Sequence, residues 1–91
     1  MYNWEIKPFL QKILDKLLKK DKPLYEQILG KINEIINCGN VEHYKNLKHD
    51  LKEFKRVHIG HFVLIFKYNQ ENNIISFEDF EHHDKVYLKK Y

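Results

Sequence analysis

The stretch Lys52-Glu-Phe-Lys-Arg-Val-His-Ile-Gly-His-Phe-Val-Leu-Ile-Phe-Lys-Tyr68 decides how the rest of this 91-residue chain is read. It predicts two β-strands meeting at Gly60. Side chains two apart in a strand share a face, so Arg56 and His58 project to one side and Val57 and Ile59 to the other. The run Phe62-Val-Leu-Ile-Phe66 has no polar face and is expected as a central strand covered on both sides. A guanidinium beside an imidazole, on a strand whose reverse is apolar, reads as a site carried on a scaffold.

Working outward from this ribbon, the N-terminal half is helical. Tyr2-Asn-Trp-Glu-Ile6 alternates as a first strand would, and Pro8 suits the opening turn of a helix. Phe9, Leu10, Ile13, Leu14, Leu17 and Leu18 recur at helical spacing, with lysines and Asp15 opposite. Asp21 is placed to cap a second helix whose stripe is Leu24, Tyr25, Ile28, Ile32, Ile35 and Ile36. Gly39 is expected to end it in the left-handed conformation. The short connection between the stripes predicts an antiparallel αα-hairpin. Residues 41–50 lack a period and are read as a loop. Downstream of the ribbon, Asn69-Gln-Glu-Asn-Asn73 is a polar turn, and Ile74-Ile-Ser-Phe-Glu-Asp-Phe80 is a strand mixed enough to lie nearer a sheet edge. A short terminal helix is expected to begin near His83 or Asp84. The expected fold is α+β: an N-terminal strand, an antiparallel αα-hairpin packed on a mainly antiparallel four-stranded sheet, and a short C-terminal helix, all in one domain spanning 1–91.

Composition narrows the class. The longest apolar run falls far short of the ~20 residues of a membrane-spanning helix. Trp4-Glu-Ile-Lys-Pro8 interrupts any leading apolar segment, so no signal peptide is expected. One cysteine, Cys38, permits no intrachain disulfide and fits a reducing, cytoplasmic setting. Net charge is only +3, but its distribution is uneven. Residues 43–67 carry six Lys/Arg against two Asp/Glu and hold four of the six histidines, whereas residues 68–91 carry three against five. That excess on and before the ribbon favours a polyanionic partner there.

Three short motifs, in order around this element pattern, resemble the RelE/ParE superfamily of toxins: Asn46-Leu-Lys48 before the sheet, Arg56-Val-His-Ile-Gly60, and His82-His-Asp-Lys-Val-Tyr87 near the end. The resemblance covers essentially the whole chain and implies the toxin of a type II toxin–antitoxin pair. Its RelE-like branch implies a ribosome-dependent messenger-RNA endoribonuclease, acting in the ribosomal A site and held in check by a RelB-like antitoxin. Its ParE-like branch implies a gyrase poison that cuts nothing, and an inactive antitoxin- or RNA-binding module is the third reading. The chain departs from the family pattern by offering Phe62 or Val63 where an arginine often follows the glycine, and by placing His58, and His82 or His83, where fixed cations are common. Some relatives use histidines in this way.

Metal-free RNA cleavage needs the 2′-hydroxyl deprotonated, the 5′-oxygen protonated and the phosphorane charge stabilised. Histidine suits the proton transfers and arginine the phosphate. Arg56 is therefore assigned to the scissile phosphate, His58 and His83 to the proton transfers, and Tyr87 to stacking on a base or assisting a proton transfer. Lys45, Lys48, Lys52 and Lys55 are assigned to flanking RNA phosphates, with His61 and His82 as further RNA contacts. No metal site is expected, because the adjacent ligands His82, His83 and Asp84 seldom converge on one ion and no Cys pair or His-x-x-x-His spacing is present. Neither is a small-molecule cofactor.

Overall fold

The computed structural model describes residues 2–46 and 53–86. Strand β1 (Asn3–Ile6) leads through Pro8 into helix α1 (Pro8–Lys20), and helix α2 (Lys22–Ile36) follows almost at once. The break between the helices is local chemistry. The Asp21 carboxylate accepts from the backbone N–H of Leu24 at 3.3 Å, satisfying one of the donors that every helix start leaves open. Leu10 and Leu14 from α1 and Ile28, Ile32 and Ile35 from α2 are buried, as their spacing predicts. They pack on one face of a sheet made by β1, β2 (Phe54–Ile59), β3 (Phe62–Asn69) and β4 (Ile74–His82). A four-residue helix, α3 (His83–Val86), ends the described chain. No described helix is long and apolar enough to cross a membrane.

The strand order is β1-β4-β3-β2, with β1 parallel to β4 and the other neighbours antiparallel. The run Val63–Phe66 is fully buried in the interior strand β3, as an apolar run without a polar face requires. Gly60 turns the β2–β3 ribbon with φ +61°, a conformation that costs glycine nothing. Tyr2, just before β1, ties the sheet to the end of α2 and the segment after it: its N–H donates to the Ile36 carbonyl at 3.3 Å and its hydroxyl accepts from the Val41 N–H at 3.0 Å.

Three expectations need correction. Strand β4 is interior, between β1 and β3, and the edge beside the ribbon belongs to β2. Its sequence looks mixed because the register against β3 slips, pairing Ile65 with Asp79 but Phe66 with Phe77. Glu78 is the extra residue of a bulge, so strict alternation fails there. Gly39 does not take the left-handed conformation: among the described residues only Gly60 and Asn73 have positive φ. Helix α2 instead ends on Asn37, whose side-chain amide donates to the Asn33 carbonyl at 2.9 Å. Finally, Val41–His43 forms a 3-10 turn inside the segment read as loop.

Candidate functional site

The site begins at the outer edge of β2. Register with β3 sets Arg56 opposite Ile65 and His58 opposite Val63, on the sheet face away from the helical hairpin. Ile59 points back into the main core, as alternation predicts. A short segment runs alongside this edge. The Arg56 N–H donates to the Lys45 carbonyl at 2.9 Å, and Asn46 bridges to Lys55. Lys55, expected at RNA phosphates, is instead drawn inward: it is 9% exposed, and its ammonium donates to the Tyr44 carbonyl at 3.3 Å and to the Asn46 side chain at 2.9 Å. It holds the wall of the site in place. Between wall and strand lies a cavity of about 310 Å³ lined by His43, Tyr44, Lys45, Arg56, Val57 and His58.

The residues just after β4 reach the same edge. The His83 N–H donates to the His61 carbonyl at 2.9 Å, tying α3 to the ribbon's turn. The His83 ring thereby lies beside that of His58, with centroids 5.3 Å apart and planes tilted by 34°. Asp84 stands 3.6 Å from His83 Nδ1 and 3.7 Å from His82 Nδ1. The structure thus brings Arg56, His58, His83 and Lys45 together. It groups His61 and His82 separately at the ribbon's tip, their rings stacked at 6.5 Å, with His82 edge-on to Phe62. Lys48, Lys52 and Tyr87 lie outside the described residues. Among the described residues no three His, Cys, Asp or Glu side chains gather closely enough to hold a metal ion.

Electrostatics sort the imidazoles. The groups crowding one side of the His58 ring strip part of its hydration, and the charges of Arg56, then His83 and Lys45, add to that effect. Its pKa is held below the ordinary imidazole value, although the side chain remains open to solvent. The ring is therefore neutral at neutral pH and able to accept a proton. Burial, followed by Cys38 and Glu34, raises the pKa of Tyr44, which stays a phenol. His43 and Tyr44 are site residues that sequence reasoning missed. Their aromatic pairing just after the helical hairpin was the available signal. Their ring centroids are 4.1 Å apart, and Tyr44 in turn meets Phe66 edge-on at 5.6 Å.

No model of a known protein family matches the sequence. A Methanocaldococcus jannaschii protein named "Putative toxin RelE4" is 52% identical over 91 residues, covering 99% of this chain and 95% of that protein. Among solved structures, the isolated RelE toxin of E. coli superimposes with a TM-score of 0.71 at 14% identity, covering 90% of this chain and 84% of that one. The RelE of an archaeal RelE–RelB complex from Pyrococcus horikoshii does so with a TM-score of 0.69 at 17% identity, covering 93% and 98%. The solved structures share the fold; the Methanocaldococcus protein is near enough in sequence, over 95% of its length, to establish kinship.

Proposed function

For a chain that belongs to the RelE family of toxins, we propose that toxicity comes from cutting messenger RNA on the ribosome, with the Arg56–His58–His83 cluster as the cleavage site. The observation that carries this reading is the convergence of two imidazoles, 5.3 Å apart, from opposite ends of the sheet segment, next to a guanidinium on the same strand face. His58, neutral beside Arg56, takes the proton of the 2′-hydroxyl. The 2′-oxygen then attacks phosphorus, and the bond from phosphorus to the 5′-oxygen breaks. His83 gives a proton to that leaving oxygen. The products are a 2′,3′-cyclic phosphate and a 5′-hydroxyl, and the two rings exchange protons with water to reset.

Arg56 serves twice. Its planar fork neutralises the phosphorane as charge builds, and its field helps keep His58 in the basic form. Each proton transfer is worth roughly 10²–10⁴ in rate. Lys45 at the cavity rim, with Lys48, Lys52 and Tyr87, supplies the flanking phosphate and base contacts, so binding weakens as salt rises. The partner is a RelB-type antitoxin, as RelB is for the RelE of the Pyrococcus complex; a segment of it folds on this toxin and covers the cluster.

Cell-free translation tests the reading. The purified chain should stop protein synthesis and leave messages cut to ends bearing cyclic phosphate and 5′-hydroxyl. Uncut messages with translation intact, and above all a block of gyrase supercoiling instead, would overturn it.

A further inference from the structure

The cavity has one wall that proton transfer and phosphate binding do not use. His43 is exposed, yet its ring is held at two points. One face packs on Tyr44 at a centroid distance of 4.1 Å, and Tyr44 is rooted in the core against Phe66. Ring nitrogen Nδ1 closely contacts the Asn40 carbonyl. Because a carbonyl only accepts, Nδ1 carries the hydrogen, which leaves Nε2 as the open nitrogen. Asn40 is itself held, its side chain accepting from the Glu42 N–H at 3.0 Å and its carbonyl accepting from the His43 N–H at 3.2 Å. An exposed imidazole would ordinarily swing freely. This one is the outermost ring of an aromatic cluster, tilted by 34° on Tyr44, and it borders the cavity that also touches Arg56 and His58.

We infer that His43, backed by Tyr44, is a stacking platform for one unpaired nucleobase of the RNA, next to the phosphate held by Arg56. The inference rests on the cleavage reading for the kind of ligand and adds a base-binding subsite to it. A cavity of about 310 Å³, at the lower end of the ~300–1,000 Å³ typical of small-ligand sites, takes a single base. Stacking on a prefixed ring needs no side-chain ordering on binding, so the contact energy is retained.

The test uses the full-length chain and programmed ribosomes whose message carries a 2′-deoxy nucleotide at the cut site and, in a series, one abasic nucleotide at each neighbouring position. With the intact message, His43→Ala should weaken binding roughly ten-fold, within the range of one lost base–aromatic stack, and His43→Phe should restore most of it. At one abasic position the wild type should lose the same factor and His43→Ala should lose nothing more, because the two changes remove one contact. A His43→Ala penalty equal on every message in the series, or a wild type with no preference for programmed over message-free ribosomes, would overturn the platform. A 2′-hydroxyl message assayed in parallel separates the two ideas. Coupling without cleavage would sink the nuclease and leave the platform standing, and cleavage without coupling would do the reverse.

Discussion

Among the described residues two hollows lie along the β2–β3 ribbon, toward its two ends, and the larger is not the one proposed as the site. Near Lys67, a bowl of about 590 Å³ is lined by Lys7, Glu53, Ser76 and Glu78 among others. Near Gly60 lies the smaller cavity with Arg56 and His58. Cations and carboxylates in and around the bowl answer one another: Lys7 meets Glu5 at 3.2 Å, Lys67 meets Glu53 at 3.6 Å, and Ser76 donates to Glu5 at 2.9 Å. Among the described residues, those lining the smaller cavity include Lys45 and Arg56 and no carboxylate. Volume therefore ranks the two one way and charge the other. For a polyanionic substrate the charge decides, because self-compensated pairs in high dielectric offer a phosphate little.

Matched substitutions at the two ends make the sharpest break. Arg56→Ala should lower message cleavage by roughly 10²–10³, the usual loss for one group that stabilises transition-state charge. Lys67→Ala should leave it within about two-fold while perturbing stability by at most ~0.5 kcal/mol, as exposed pairs do. Equal losses from both would erase the distinction between the hollows. A smaller effect should come from the wall. Lys55→Met keeps the packing of the aliphatic stem but leaves the Tyr44 carbonyl and the Asn46 side chain without their donor. Urea unfolding should show about 1–3 kcal/mol lost, together with weaker message binding as residues 44–46 loosen from β2. Wild-type binding in a destabilised Lys55→Met protein would mean that the wall does not shape the site.

The ribbon was legible in sequence because its first strand alternates and its second is apolar throughout, and spacing alone puts Arg56 and His58 on one face. The helical hairpin was legible for the same reason, through a capping Asp21 and two apolar stripes. The interior place of β4 was not, since a bulge at Glu78 breaks alternation and imitates an edge strand. Nor was the direction of Lys55. A lysine on an edge strand reaches solvent or a neighbouring carbonyl with equal ease, and the choice was made by a segment about ten residues upstream that has no period of its own. His43 and Tyr44 went unseen for that reason too: they become a wall only once Lys55 and the Arg56 N–H bind the segment that carries them.

The basic end should also announce itself through acid. His58 is held below the ordinary imidazole value of 6.5 by crowding and then by Arg56. The acid limb of message cleavage, where this base is lost, should therefore lie below 6.5. Arg56→Gln removes the second cause, so NMR titration of the His58 ring should give a pKa nearer 6.5, with His83→Asn producing a smaller rise. For stability the sign is fixed by linkage. Between the folded-state pKa and 6.5 the unfolded chain binds more protons, so whatever His58 contributes is lost as pH falls through that window. An unmoved titration in Arg56→Gln would show that the guanidinium does not act on the ring.

At the other end a carboxylate runs the opposite way, and the effect is the smallest of these. Burial raises the pKa of Glu78 above its ordinary 4.5, with Lys7 and Lys67 opposing the shift and Glu5 and Glu53 adding to it. Between 4.5 and that raised value the folded chain binds more protons than the unfolded one. The ionised group is thus a cost at neutral pH that is relieved as pH falls, the reverse of a carboxylate held by a salt bridge. Glu78→Gln keeps the shape and removes the charge. Its Tm at pH 7 should exceed the wild type's by about 2 °C, as a gain of some tenths of a kcal/mol converts in a domain of this size. That advantage should shrink as pH is lowered through the raised pKa. If the Gln variant melts with the wild type at neutral pH, the lysines of the bowl already offset the burial of Glu78. If its advantage persists unchanged in acid, the charge was never the cause, and the bulge itself carries the strain.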